Sequence, residues 1–375
     1  MRVFNFLALL PFVLANPLQT KRTTACNNSP DLCSKSYGEI THLGAHDSPF
    51  LRDETTGNSV AGNQYYDTPT QLSAGVRLVT AQVHKSNSQW RLCHSNCDIL
   101  DAGLLSDWLK DIKSWLDDNP NEVVTILLVN SDGASASELN TEFTSGNITD
   151  YAYEPTSPGS APSTWPTLQT MIDDGKRLVV FIADIDTSES HPYLMDEWTY
   201  VWENSYDVSS SSNFSCEPDR PSAYKGNSAS ALDANLLPLM NHFLYSSIFD
   251  IQYPNASYVG TTNAASGGTG NLGTAATDCK KAWNGRQPSF ILVDFFNQGP
   301  AIETVDNLNG VTNAVGRKSV STSADSTSDA SSTSNAFKAL VELAASARSG
   351  TSVSMGNWIW TGGNWGNLLG GGVSF

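Results

Sequence analysis

The chain is 375 residues long and 39% hydrophobic, with 21 Lys and Arg against 38 Asp and Glu, a net charge of −17. That length can bury one large core or two smaller ones. A field this negative repels polyphosphate, which excludes nucleic acid and a generally anionic bilayer as main partners and requires any anionic substrate to be met by local positive groups.

In chain order, residues 1–15 read as a signal peptide: an early Arg2, an apolar run from Phe4 to Leu14 too short to span a bilayer, and the small Ala15. Residues 16–22 follow as a propeptide closed by the dibasic pair Lys21-Arg22, so the folded chain is expected to start near Thr23. An even count of six cysteines in an exported chain favours disulfides over free thiols or metal ligation. Many pairings are open; loop length favours Cys26 with Cys33, Cys93 with Cys97, and Cys216 with Cys279. Sequons at Asn27, Asn147, Asn213 and Asn255 fit the same compartment, and each needs an exposed position to carry a glycan.

Apolar runs of strand length recur at residues 39–46, 76–84, 123–130, 177–184, 199–206 and 289–296, each rich in β-branched or aromatic residues. Between the second and third, Leu105, Trp108, Leu109, Ile112, Trp115 and Leu116 repeat at helical spacing until Asn119-Pro120 ends the pattern. A second helical stretch, Leu168 to Asp174, is closed by Gly175. Nearly all-apolar strands alternating with helices indicate a parallel sheet buried on both faces. Without a G-x-G-x-x-G turn, the expected fold is an α/β protein of the TIM-type (β/α) barrel class, over residues 23–316. Residues 317–334 form a Ser/Thr-rich linker too polar to bury a core and expected to be disordered, and 335–375 a C-terminal tail to which the sequence assigns no role, in which AFKALVELAASA has the pattern of an amphipathic helix before a Gly- and Trp-rich end.

Barrels keep their chemistry where the carboxyl ends of the strands converge, so polar residues there are the candidates. His46-Asp47-Ser48 follows the first run, and His94 lies between Cys93 and Cys97, on a small rigid loop if those two pair. Two imidazoles facing one phosphate can divide proton removal and proton donation, each step typically giving about 10²- to 10⁴-fold in rate.

With these residues in place, the sequence resembles the phosphatidylinositol-specific phospholipase C X-domain family, in particular its fungal secreted PLC-like phosphodiesterase branch. The resemblance is carried by HDS at 46–48, GVR at 75–77, LCHS at 92–95, WLDDNPNEVVTILL after the helix, and LVDFF at 292–296, and it covers about residues 36–312. It implies a PLC-like phosphodiesterase barrel in which His46 is the general base on a substrate hydroxyl and His94 the general acid on the leaving oxygen. It further implies that Asp294 orients His46 and that Asp47 supports His94; a carboxylate partner fixes the tautomer of an imidazole and raises its basicity.

One departure stands out. Where relatives carry, on the strand after G-x-R, an acidic residue followed two places on by a phosphate-binding arginine or a calcium-binding acid, this chain has Thr80 and Gln82. Strand alternation puts Thr80, Gln82 and His84 on one side with Arg77 deeper, so His84 is the expected source of the missing positive charge, with Gln82 and Arg77 beside it. Asn130, Asp184 and Glu203 are further candidates for binding substrate hydroxyls. No metal or other cofactor is implied.

The leading reading is an exported phosphodiesterase acting on a phospholipid or inositol-type diester, with peripheral membrane contact and no nucleic acid partner. A barrel that has lost turnover and only binds a phospho-sugar or glycolipid is the alternative. A wall-associated structural protein, resting on the tail, is a third. Oligomeric state is not legible.

Overall fold

Apolar runs bounded by turn residues become twelve strands in the computed structural model, which describes residues 25–248 and 251–322. In chain order they are β1 (His42–Ala45), β2 (Leu78–Ser86), β3 (Gln89–Cys93), β4 (Asp101–Leu104), β5 (Val124–Asn130) and β6 (Leu178–Ala183). There follow β7 (Leu194–Asp196), β8 (Val201–Glu203), β9 (Leu237–Asn241), β10 (Tyr245–Ile248), β11 (Ile251–Pro254) and β12 (Phe290–Val293). The helices that matter below are α1 (Thr68–Ala74), α2 (Leu105–Asp118) and α3 (Ala136–Ser145). The signal peptide, the dibasic propeptide, and all of the linker and tail beyond residue 322 lie outside the described residues.

Eight strands pair in parallel in the order β7-β6-β5-β2-β1-β12-β9-β8, so that, β7 and β8 apart, strands consecutive in this set lie side by side and the last meets the first. This is the (β/α) barrel expected from the alternation of runs, with its seam between β7 and β8, which do not pair. Only a four-residue helical turn, Glu197–Tyr200, connects those two strands, and each is only three residues long. The free edge of β8 is instead met by an antiparallel bridge from Arg220, where the Glu203 amide donates to the Arg220 carbonyl at 2.9 Å.

The strands are buried on both faces, and all six residues of β6 are inaccessible. Alternation sends Val79, Ile126 and Val180 outward to the helices, while Leu78, Leu127, Phe181, Phe290 and Leu292 fill the barrel. At the amino ends of the strands, Tyr37, Trp165, Phe181 and Phe290 close the interior, with Tyr37 and Trp165 centroids 5.1 Å apart. A Cβ on Gly44 would lie 2.5 Å from a Leu292 methyl, so β1 needs a glycine for its neighbours to meet inside.

Helix α2 buries the six apolar positions that its periodicity picked out, each contributing about 1.5–3 kcal/mol by leaving water. It packs against α1 and α3, and Asn119 stops it by donating its side-chain amide to the Trp115 carbonyl at 2.7 Å. The disulfides are Cys26–Cys33, Cys93–Cys97 and Cys216–Cys279, the pairing that loop length favours.

Three expectations need correction. The barrel does not end at 316: Arg317 pairs with Asp306, the Lys318 amide donates to the Ser73 carbonyl at 2.8 Å, and Asn297 donates to the Ser321 carbonyl at 2.9 Å. Asn27 is buried and accepts the Val123 amide at 2.7 Å, so in the folded chain it is no site for a glycan, whereas Asn147 and Asn213 are exposed. Arg77 precedes β2 and therefore sits at the amino end of the barrel, away from the mouth. There its donors are taken up by Glu122, Asn28 and the carbonyls of Leu72 and Val76.

Candidate active site

His46 follows the last residue of β1, where its amide continues the sheet by donating to the Val293 carbonyl at 3.0 Å. Asp294 follows the last residue of β12, the neighbour of β1, so strand pairing alone brings the two side chains together. His46 Nδ1 lies 2.9 Å from Asp294 Oδ1. The Asn63 amide donates to the same carboxylate oxygen at 3.0 Å, and the His46 ring stacks flat on Phe243 with centroids 3.7 Å apart. Held on one face by Phe243 and at Nδ1 by Asp294, the imidazole has its Nε2 on the side of Asp47.

His94 arrives from outside the barrel proper. Strand β2 overshoots the mouth and turns back as β3, and the Cys93–Cys97 disulfide folds the following residues into a tight loop. The His94 amide donates to the Leu100 carbonyl at 2.9 Å and its ring meets the edge of Phe50 at 5.5 Å. Its Nε2 is buried with no hydrogen-bond partner among the described residues.

Asp47 lies between the two rings: its Oδ2 is 3.7 Å from His46 Nε2 and 3.8 Å from His94 Nε2. Both nitrogens thus lie within 3.8 Å of one oxygen, and both rings line a cavity of about 280 Å³. Asp47 is itself held by Gln82, whose amide nitrogen donates to Oδ2 at 2.7 Å while its carbonyl accepts the Ser95 amide at 2.8 Å. The expectation that Asp47 serves His94 alone becomes a carboxylate shared by both imidazoles.

The two histidines are pulled apart electrostatically. Burial alone would lower the His46 pKa, but Asp47 and Asp294 outweigh it and hold the imidazole above its ordinary value. At His94 burial dominates and pulls the pKa down, with Asp47 opposing and His46 reinforcing the shift. The shifts favour a proton on His46 and a neutral His94, so the pair holds one proton over one cavity.

Of the other sequence candidates, Thr80, Gln82 and Glu203 line the cavity; Glu203 is bonded to Arg220 at 2.6 Å and to Asn241 at 2.8 Å. His84 does not line it. Strand β2 has by then run past the mouth, and His84 Nδ1 sits 3.2 Å from Asp132. Asn130 follows Val129, which faces the cavity, and so points the other way; its side chain bonds the backbone of Ala134 and the Asp184 carbonyl. Asp184 accepts the Trp198 indole at 2.9 Å, also outside the cavity.

Sequence reading missed Asn63, Phe243 and Arg220. Asn63 and Arg220 sit in loops whose position depends on long-range pairing. Phe243 follows β9, whose short run is broken by Pro238 and carries no clear strand pattern.

The chain is similar in sequence to known proteins over most of its length. The family model PI-PLC X 1 matches residues 32–309. A PI-PLC X domain-containing protein of Arthroderma benhamiae is 34% identical over 305 residues, covering 81% of this chain and 95% of that protein. An uncharacterised secreted protein of the same fungus is 38% identical over 301 residues, 78% of this chain and 66% of that protein, so the chain spans just under two thirds of it. Among solved structures, the phosphatidylinositol-specific phospholipase C from Listeria monocytogenes superposes with a TM-score of 0.49 at 16% identity, over 75% of this chain and 95% of that one. On the family match and the fungal relative, the chain belongs to the PI-PLC X domain family.

Proposed function

We propose that this protein is an exported phosphodiesterase that cleaves a phospholipid or inositol-type phosphodiester by two-histidine acid/base catalysis. One observation carries the reading: His46 Nε2 and His94 Nε2 converge on the same Asp47 oxygen at 3.7 and 3.8 Å across an accessible cavity.

In the step this supports, a headgroup hydroxyl next to the phosphate loses its proton to His46 Nε2 and its oxygen attacks phosphorus. The bond from phosphorus to the leaving oxygen breaks, and that oxygen takes a proton from His94. The product is a cyclic phosphate, with the proton count conserved over the pair. Asp294 and Asn63 fix the His46 ring, and Gln82 fixes Asp47. Each directed donor or acceptor of this kind lowers the reorganisation that the transition state requires.

Export rests on the leader-like first residues, the disulfide-bonded cysteines and the exposed sequons, and the 38%-identical relative is named as secreted. Among the described residues no helix is long and apolar enough to cross a membrane, so contact with a lipid substrate is peripheral in this reading.

A second reading, a binding module for a phospho-sugar or glycolipid, is favoured by the neutral Thr80 and Gln82 on the catalytic wall. Release of cyclic phosphate by the purified full chain, with H46A, H94A and added chelator as controls, decides between them. Chelator-insensitive release abolished by either substitution is expected; no turnover across a panel of phosphodiesters leaves only the binding module.

A further inference from the structure

A phosphodiester is an anion, and this cavity is acidic: Asp47 and Glu203 line it and Asp294 stands behind His46. Bringing negative charge between carboxylates in a partly desolvated cleft is unfavourable unless a cation shares it. Of the residues lining the cavity, Arg220 is the one with a permanent positive charge.

The fold puts Arg220 there deliberately. Its backbone bridges the free edge of β8 at the barrel seam, with the Glu203 amide donating to the Arg220 carbonyl at 2.9 Å and the Asp219 amide to the Glu203 carbonyl at 2.7 Å. The loop that carries it is tied to the barrel's outer layer by Cys216–Cys279. Its guanidinium is held between two rings, 5.0 Å from the centroid of Trp198 and 4.4 Å from that of Tyr206. Stacking of this kind fixes a planar cation while leaving its edges free to bond.

Those edges are only partly used. Nη2 donates to Glu203 Oε2 at 2.6 Å, but Nε is buried with no partner among the described residues. Glu203 Oε2 also accepts from Asn241 at 2.8 Å, so the carboxylate stays bonded if the guanidinium is drawn elsewhere. Glu197, the other acid near this seam, is buried, and burial together with Glu203 pushes its carboxyl well above the usual carboxylate range. A carboxyl that holds its proton more tightly pulls less on Arg220 than Glu203 does.

We propose that Arg220 is the cationic substrate contact of this site: clamped between Trp198 and Tyr206, it donates to an oxygen of the scissile phosphodiester and replaces the charge that Thr80 and Gln82 do not supply. The proposal deepens the phosphodiesterase reading and rests on it.

The test uses the full chain and two soluble probes, inorganic phosphate and myo-inositol, measured by calorimetry, with turnover of phosphatidylinositol in phosphatidylcholine vesicles assayed separately. R220Q should weaken phosphate binding about 10- to 100-fold, as expected for losing a hydrogen bond from a charged donor, and leave inositol binding unchanged. R220K, which keeps the charge but not the planar fork, should fall between the two. E203Q, which releases the guanidinium and removes a negative charge, should tighten phosphate, and in an R220Q background that gain should shrink; it keeps the test open if R220Q alone misfolds. Phosphate binding equal in R220Q and wild type overturns the proposal, as does a wild-type chain that takes up no phosphate. R220Q that loses inositol but keeps phosphate overturns it too, making Arg220 a hydroxyl contact. A wild-type chain that binds phosphate through Arg220 yet turns over no diester sinks the phosphodiesterase reading instead, so the two failures are distinguishable.

Discussion

Strand β1 opens on one histidine and is followed directly by another, and the two have opposite fates. His42, at the base, packs against Tyr37 and Phe290 and its Nε2 lies 3.0 Å from the Tyr37 carbonyl; burial drives its pKa down to about 4, so it is neutral and spent on structure. His46, at the mouth, is also buried, yet Asp47 and Asp294 more than offset burial and hold its pKa up. The difference lies in what the neighbouring strand ends offer: backbone and rings at the base, carboxylates at the mouth. Burial alone therefore does not distinguish a structural histidine from a reactive one. The partners do.

The largest effects should come from the mouth. H46A and H94A are each expected to lower kcat on a phosphodiester by about 10²- to 10⁴-fold, with near-UV circular dichroism unchanged. Retained activity in either would remove that residue from the proton-transfer step. The corresponding change at the base, E122A, should act on stability instead. It strips the partner from buried Arg77 and should cost about 3–5 kcal/mol in urea unfolding while KM stays the same. Loss of activity at unchanged stability would show that the two ends are not separable.

Next in size is D294N. It removes an interaction that raises the His46 pKa, so that pKa must fall. With His46 reacting as the neutral base and His94 as the protonated acid, the rate rises to the His94 pKa, runs flat, and falls above the His46 pKa. The alkaline break should therefore move to lower pH in D294N, and the acid break, set by His94, should follow by a smaller amount, because Asp294 acts on His94 through its charge alone. A pH profile of kcat/KM in which neither break moves, or in which the acid break moves further than the alkaline one, would contradict this assignment.

The barrel was largely legible because its strands are nearly continuous apolar runs, and burial on both faces leaves that signature in sequence. The hairpin of β3 and β4, the Pro-broken β9 and the seam were not legible, being short or dependent on pairing far along the chain. At the site, His46, Asp47, His94 and Asp294 could be read because each lies directly beyond a strand end or between close cysteines. Arg77, Asn130 and Asp184 fit the same pattern yet serve the fold, since a one-residue step on a strand, or the wrong end of it, turns a side chain away from the mouth. Asn63, Phe243 and Arg220 left no local trace.

The smallest expected effect belongs to His84, which the sequence put forward as the replacement cation. It shares the cavity-facing parity of Thr80 and Gln82, but parity along a strand is informative only while the strand stays within the barrel wall. Beyond Val83 the chain is paired with β3 in a projecting hairpin, and the imidazole meets Asp132, which also accepts the Lys85 amide at 2.7 Å. Asp132 is exposed, and a contact with so solvated a carboxylate is worth little, so H84A should change kcat/KM by less than about twofold and stability by no more than about 1 kcal/mol. A larger loss of activity, with phosphate binding weakened in parallel, would move the missing charge from Arg220 back to His84. It would also mean that the hairpin folds over the mouth when substrate binds.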